Sequence, residues 1–163
     1  MKGLVLYRSY HSNTRQVAEA IGDRFRSLGH DADVQDLRQK LPDPSGVDVI
    51  VIGSPTRMAR VNRKALRVLK RMRKKGFAGK PVAVFDTYGP VATNPEELEK
   101  SRKWLYPGAA GILQQTAKSL GLNVYSDALR CEVQGMKGPL KDKELEKAAA
   151  FTNNFLSTIG KKS

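Results

Sequence analysis

Cysteine is nearly missing from this chain of 163 residues: Cys131 stands alone. An intramolecular disulfide and a cysteine-rich metal site are both excluded, and such sparse usage fits a reducing compartment. Its place in a strand-like segment reads as a buried, inert thiol. The two histidines, His11 and His30, have no metal-pair spacing. Long apolar runs are missing as well. The run within MKGLVLYRSYHS is too short for a signal peptide, and none further on spans a bilayer, so a soluble, cytoplasmic protein is expected. There is no Walker lysine and no GxGxxG, which argues against a nucleoside triphosphate and against a dinucleotide fingerprint. Internal repeats, low-complexity tracts and linkers are absent too, so one domain over residues 1–163 is expected.

Between positions 57 and 80 there is no acid at all, while eleven residues are Lys or Arg. The net charge of +13 is concentrated there, because the rest of the chain holds eighteen basic and sixteen acidic residues. Arg63, Lys64, Arg67, Lys70, Arg71, Lys74 and Lys75 cover the helix face opposite an apolar stripe. Exposed faces usually mix signs, so a face of one sign favours an acidic partner or an anionic small molecule over a merely solvated surface. No aromatic residues interleave with the basic ones and no recognition module is present, so nucleic acid is disfavoured.

Strand and helix patterns alternate five times. The short apolar runs at residues 3–7 (GLVLY), 47–53 (VDVIVIG) and 81–85 (PVAVF) read as buried strands. Residues 32–36 (ADVQD) read as a polar edge strand, and residues 123–133 as a fifth strand that SDA interrupts. Helical spacing marks a helix ending near Gly29, capped at its start by Ser12 or Asn13. It marks others at residues 61–75, 96–105, 108–120 and 141–159. Such alternation builds a parallel sheet covered by helices on both faces. The connection over residues 91–107 is unusually long, and its Trp104 reads as a packing anchor, with a lid or partner contact as the alternative.

In an open parallel sheet, ligands bind beyond the carboxyl ends of the strands. Three loops leave those ends here, at residues 8–13, 54–60 and 87–95. The first crowds small donors between strand and helix: Ser9, Tyr10, Ser12, Asn13 and Thr14. Backbone N–H groups at a helix start, the helix dipole and hydroxyl side chains together suit one phosphate.

The residues VLYRSYHSNT resemble the phosphate loop of the flavodoxin family, with Val5, Leu6, Tyr7, Ser9 and Thr14 matching its pattern. His11 stands where Thr is usual, and Ser12 where a small residue, commonly Gly, is usual; Ser12 serves there if the backbone needs no positive φ. VIGSPTRMAR is similar to the family's third strand end, and VFDTYGP to its fourth, with Pro90 in place of an occasional Trp. The resemblance spans nearly the whole chain. It implies a flavodoxin-like doubly wound α/β fold, a five-stranded parallel sheet of order 2-1-3-4-5, and FMN as cofactor. Ser9, His11, Ser12, Asn13 and Thr14 would hold its phosphate. Ser54, Pro55, Thr56, Arg57, Met58, Thr87, Tyr88 and Gly89 would surround its ring, with Met58 as a soft apolar surface.

The resulting expectation is an electron-transfer protein with no general acid or base of its own. It would exchange electrons with an acidic, ferredoxin-like redox protein through Arg57, Arg60, Arg63, Lys64, Arg67, Lys70, Arg71 and Lys74. An alternative is an FMN-dependent oxidoreductase of a small molecule, of the NAD(P)H:quinone reductase or protoporphyrinogen oxidase type. A third is a flavin-free binding module on the same fold.

Overall fold

The computed structural model describes residues 1–162. Five strands, β1 (Lys2–Tyr7), β2 (Asp31–Asp36), β3 (Val49–Pro55), β4 (Val82–Tyr88) and β5 (Val124–Glu132), form one parallel sheet in the order β2-β1-β3-β4-β5. Five helices alternate with them: α1 (Asn13–Ser27), α2 (Arg63–Lys74), α3 (Pro95–Leu105), α4 (Gly108–Ser119) and α5 (Glu144–Lys162). The strand pattern has period two, so each central strand feeds two cores. Val5, Val49, Val51 and Phe85 pack with Ile21 and Phe25 of α1 and Phe155 of α5. Leu4, Leu6, Ile50, Ile52 and Val84 pack with Leu69 and Met72 of α2 and Leu113 of α4 on the other face.

Several boundaries differ from the sequence reading. β3 and β4 run two and three residues further than their apolar runs, because Ser54 pairs with Asp86 and Pro55 with Thr87 at their polar ends. Asp86, Thr87 and Tyr88 are therefore strand, not loop, and their side chains are aimed by the sheet. α2 starts later than its apolar stripe, since the Asn62 side-chain oxygen Oδ1 accepts from the Lys64 N–H and caps it. α5 likewise starts at Glu144, after a turn in which Lys143 takes φ 68°. SDA does not break β5; instead five residues of β5, Val124 to Ala128, pass three of β4, Val82 to Val84, a bulge within a continuous strand.

Cys131 is fully buried in β5, and burial pushes its thiol up to about 12 from an ordinary 9.0. The folded chain thus keeps a proton that the unfolded chain releases above pH 9. Stability is fully present below that pH and declines as pH rises toward 12. We expect a loss of roughly 1 kcal/mol at pH 10 from this group. Urea midpoints of the native chain and Cys131→Ala at pH 7 and pH 10 check it: the variant should show the smaller decline.

Candidate functional site: a cleft at the strand ends

The loops leaving β1, β3, β4 and β5 enclose a cleft of about 710 Å³ at the carboxyl ends of the strands. It lies where neighbouring connections diverge to opposite faces of the sheet, the position at which such folds bind ligands. Ser9, His11, Asn13, Thr14, Pro55, Thr56, Arg57, Met58, Thr87, Tyr88 and Gly89 all line it, as does Arg60. Ser12 and Ser54 do not. Ser54 is fully buried beneath the second loop, where its hydroxyl donates to the Pro55 carbonyl and accepts from the Asn62 N–H. Its part is to fix the loop's entry into α2. Ser12 is exposed, and its backbone takes φ 70°, ψ −8°, so the left-handed conformation that favours Gly is present here after all.

That strain gives a clear expectation. A non-glycine residue in the left-handed region costs about 1–2 kcal/mol, partly offset in glycine by its greater unfolded-state entropy. Ser12→Gly should stabilise the fold by roughly 0.5–1 kcal/mol, read as a rise of a few degrees in Tm, because its side chain lies outside the cleft.

The floor of the cleft is rich in donors without acceptors. Neither Ser12 nor Asn13 caps α1 with its side chain. Ser12 contributes its carbonyl to the Gln16 N–H instead, and among the described residues nothing accepts from the first N–H groups of the helix. The Ser9 hydroxyl is buried and has no partner among the described residues. A buried hydroxyl with no partner is costly, and a helix start with open N–H groups attracts an anion. The Thr14 and Thr87 hydroxyls, 2.8 Å apart and buried, tie the start of α1 to the end of β4. Asn13 is packed against Gly138 so closely that a Cβ there would lie 2.4 Å from its Oδ1, which closes the β5–α5 loop over the same floor.

The walls are apolar and aromatic, with cations at the lip. Tyr88 stands on one side; burial pushes its phenol up to about 12, Glu132 and Tyr106 add to the rise, and Arg130 opposes it. Its hydroxyl therefore stays protonated at neutral pH. On the other side Arg57 and Arg60 exchange backbone hydrogen bonds of 3.1 and 2.9 Å around a tight turn, with Met58 and Ala59 at φ 50° and 65°. The turn presents Met58, 72% exposed, to the cleft, which Met136 of the β5–α5 loop, 84% exposed, also lines. Tyr10 is sandwiched between guanidinium groups, Arg57 at 4.5 Å and Arg8 at 5.0 Å from its ring centre, and its hydroxyl accepts from Asn62.

The sequence reading missed the fourth loop. Val133, Met136 and Lys137 line the cleft, and the strand-end rule applied to β1, β3 and β4 holds equally for β5. It also left Tyr10 unassigned, because only folding brings Arg8, Arg57 and Asn62 around it. Trp104 lies outside the cleft at the end of α3, half-exposed with the Lys103 ammonium 5.0 Å from its ring. The basic residues of α2 cover an outward face next to this mouth, and among the described residues none of them makes an ion pair.

A parallel sheet of order 2-1-3-4-5, with open N–H groups at its first strand–helix turn, defines an α/β protein of the doubly wound class. The family model described as the flavodoxin domain matches residues 4–161, and the chain belongs to that family. Among solved structures it is similar to a flavodoxin from the domain Archaea, at 23% identity and TM-score 0.75 over 98% of this chain and 99% of that one. It is also similar to oxidised Flavodoxin 2 from Bacillus cereus, at 22% identity and TM-score 0.70 over 97% and 99%. A flavodiiron core from Synechocystis matches at 15% identity and TM-score 0.74, covering 100% of this chain and 37% of that one. At these identities the likeness is one of fold. No curated protein matches the chain in sequence.

FMN is the cofactor of this family, and the cleft fits it. The orphaned Ser9 hydroxyl and the open start of α1 suit the phosphate. The volume of the cleft that Met58 and Tyr88 line suits a flat ring system. Among the described residues no helix is long and apolar enough to cross a membrane.

Proposed function

We propose that this chain is an FMN-dependent electron carrier that docks an acidic redox protein on its basic face. The observation that supports it best is the coincidence of two features at one place: an anion cradle whose buried Ser9 hydroxyl has no partner among the described residues, and a cleft mouth flanked by cations that make no ion pair among those residues. FMN, when bound, supplies one- and two-electron redox chemistry. The residues do the rest. Ser9, His11, Asn13 and Thr14 bind the phosphate. Thr56, Arg57, Met58, Thr87, Tyr88 and Gly89 orient the ring and exclude water from its faces. Arg57 and Arg60 continue the positive surface of Arg63, Lys64, Arg67, Lys70, Arg71 and Lys74 to the mouth, so an acidic partner is steered to the place where electrons leave.

One observation favours a second reading. Arg57 and Arg60 line the cleft itself rather than only its surroundings, which suits a small anionic substrate of an FMN-dependent oxidoreductase. The visible spectrum of the purified protein, repeated during titration with FMN, tests the shared part of both readings. Saturable uptake supports them, and no uptake at high FMN rejects both. Steady NAD(P)H oxidation with a quinone would then favour the enzyme over the carrier.

A further inference from the structure

Beneath the Tyr88 wall lies a charged cluster that the cofactor reading does not use. The Asp86 carboxylate, at the polar end of β4, is fully buried. Arg130 of β5 donates to it through Nε, at 2.9 Å to Oδ1 and 3.0 Å to Oδ2. Its Nη2 lies 2.9 Å from Oδ2. The Thr56 hydroxyl donates to Oδ2 at 2.8 Å and the Ala110 N–H at 3.1 Å. Thr56 in turn accepts from the Ala109 N–H at 2.7 Å. Asp86 and Thr56 together thus cap α4 from the sheet.

The guanidinium plane is also held on its faces. Its central carbon is 4.1 Å from the Tyr88 ring centre and 5.1 Å from that of Tyr106. Gly108 makes room for it, since a Cβ there would fall 2.2 Å from Nη2 and the backbone has φ 73°. Nη1 is buried and has no partner among the described residues. Stability alone is a weak reason for this arrangement, because a buried ion pair is often no better than apolar packing of the same volume. What the pair supplies is direction. Tyr88 and Thr56 line the cleft, whereas Asp86 and Arg130 do not. Each lining residue is fixed by one member of the pair, Tyr88 by stacking on Arg130 and Thr56 by donating to Asp86.

We propose that Arg130, clamped on Asp86, is a positioning residue for the flavin-ring wall. It sets the plane of Tyr88 and the place of the Thr56 hydroxyl from behind, without touching the cofactor. The proposal rests on the reading of Tyr88 and Thr56 as ring contacts. Lysine at this position would keep the charge but lose the planar fork that stacks and bonds at once.

The test compares FMN with riboflavin, which has the ring but no phosphate, by fluorescence titration of the native chain and Arg130→Lys. The double variant Asp86→Asn with Arg130→Gln removes both charges together and guards against a single variant that fails to fold. Both variants should bind both flavins about tenfold more weakly, a cation–π and hydrogen-bond loss of ordinary size. The ratio of FMN to riboflavin affinity should stay at its native value. Unchanged affinity for riboflavin in a folded variant overturns the proposal, as does a loss confined to FMN, which would place the effect at the phosphate. Native protein that takes up neither flavin overturns the cofactor reading and the proposal with it.

Discussion

Ser9→Ala is expected to move two measurements in opposite directions. In the FMN-free protein the Ser9 hydroxyl is buried and unpaired among the described residues. An unsatisfied buried polar group costs about 1–3 kcal/mol, so its removal should leave the FMN-free fold unchanged or up to about 1 kcal/mol more stable. In the complex the same hydroxyl would donate to a phosphate oxygen. A hydrogen bond to a charged group contributes about 1.5–3 kcal/mol, so FMN affinity should fall roughly tenfold to a hundredfold. Riboflavin affinity should not change. Thermal melts of the FMN-free protein and fluorescence titrations with the two flavins decide it. A variant that melts lower and binds FMN as the native chain does would make Ser9 a structural residue and would remove the main support for the phosphate cradle.

Reversing charge on α2 should act on rate and leave cofactor binding alone. Arg63, Arg67 and Lys70 are exposed, lie outside the cleft, and make no ion pair among the described residues. Their Glu variants should therefore fold and bind FMN normally. Steered association exceeds unsteered association by about 10- to 1,000-fold at low ionic strength. With three charges reversed, electron transfer to a small acidic ferredoxin should slow at least tenfold at low salt. The difference should vanish near 1 M salt, where the Debye length is about 3 Å. Stopped-flow traces at a series of salt concentrations measure both effects. Equal rates at low salt would mean that the face is only solvated and that electrons leave elsewhere.

The likeness to flavodoxins was legible because its carriers are local. VLYRSYHSNT, VIGSPTRMAR and VFDTYGP each join a short apolar strand run to a loop whose composition is unusual, and segments with helical spacing lie between them. The basic block from position 57 to 80 was equally plain, since charge is counted without knowing the fold. The limits of β3 and β4 were less legible. Ser54, Asp86 and Thr87 are polar, so hydrophobic pattern ends before them, but their backbones continue the ladder and their buried side chains find partners: Ser54 in Pro55 and Asn62, Asp86 in Arg130 and Thr56, Thr87 in Thr14. Ser12 shows the same limit at a single residue, because its left-handed backbone is imposed by the turn and not by serine's own preference.

By itself, then, the sequence determined the alternation of strands and helices, the donor-rich first turn and the position of the cationic surface, all properties of short windows. Only the tertiary structure decided which side chains share a site. It placed Met136 and Lys137 in the same cleft as Met58, brought Arg8 and Arg57 over the Tyr10 ring, and set Asp86 against Arg130, 44 residues further along the chain. It also moved Ser54 out of the cleft and into the loop's support. The reason is physical: hydrophobic periodicity and capping act over a few residues, whereas the pairing of buried charges depends on strand register and crossover, which are fixed only when the whole sheet closes against its helices.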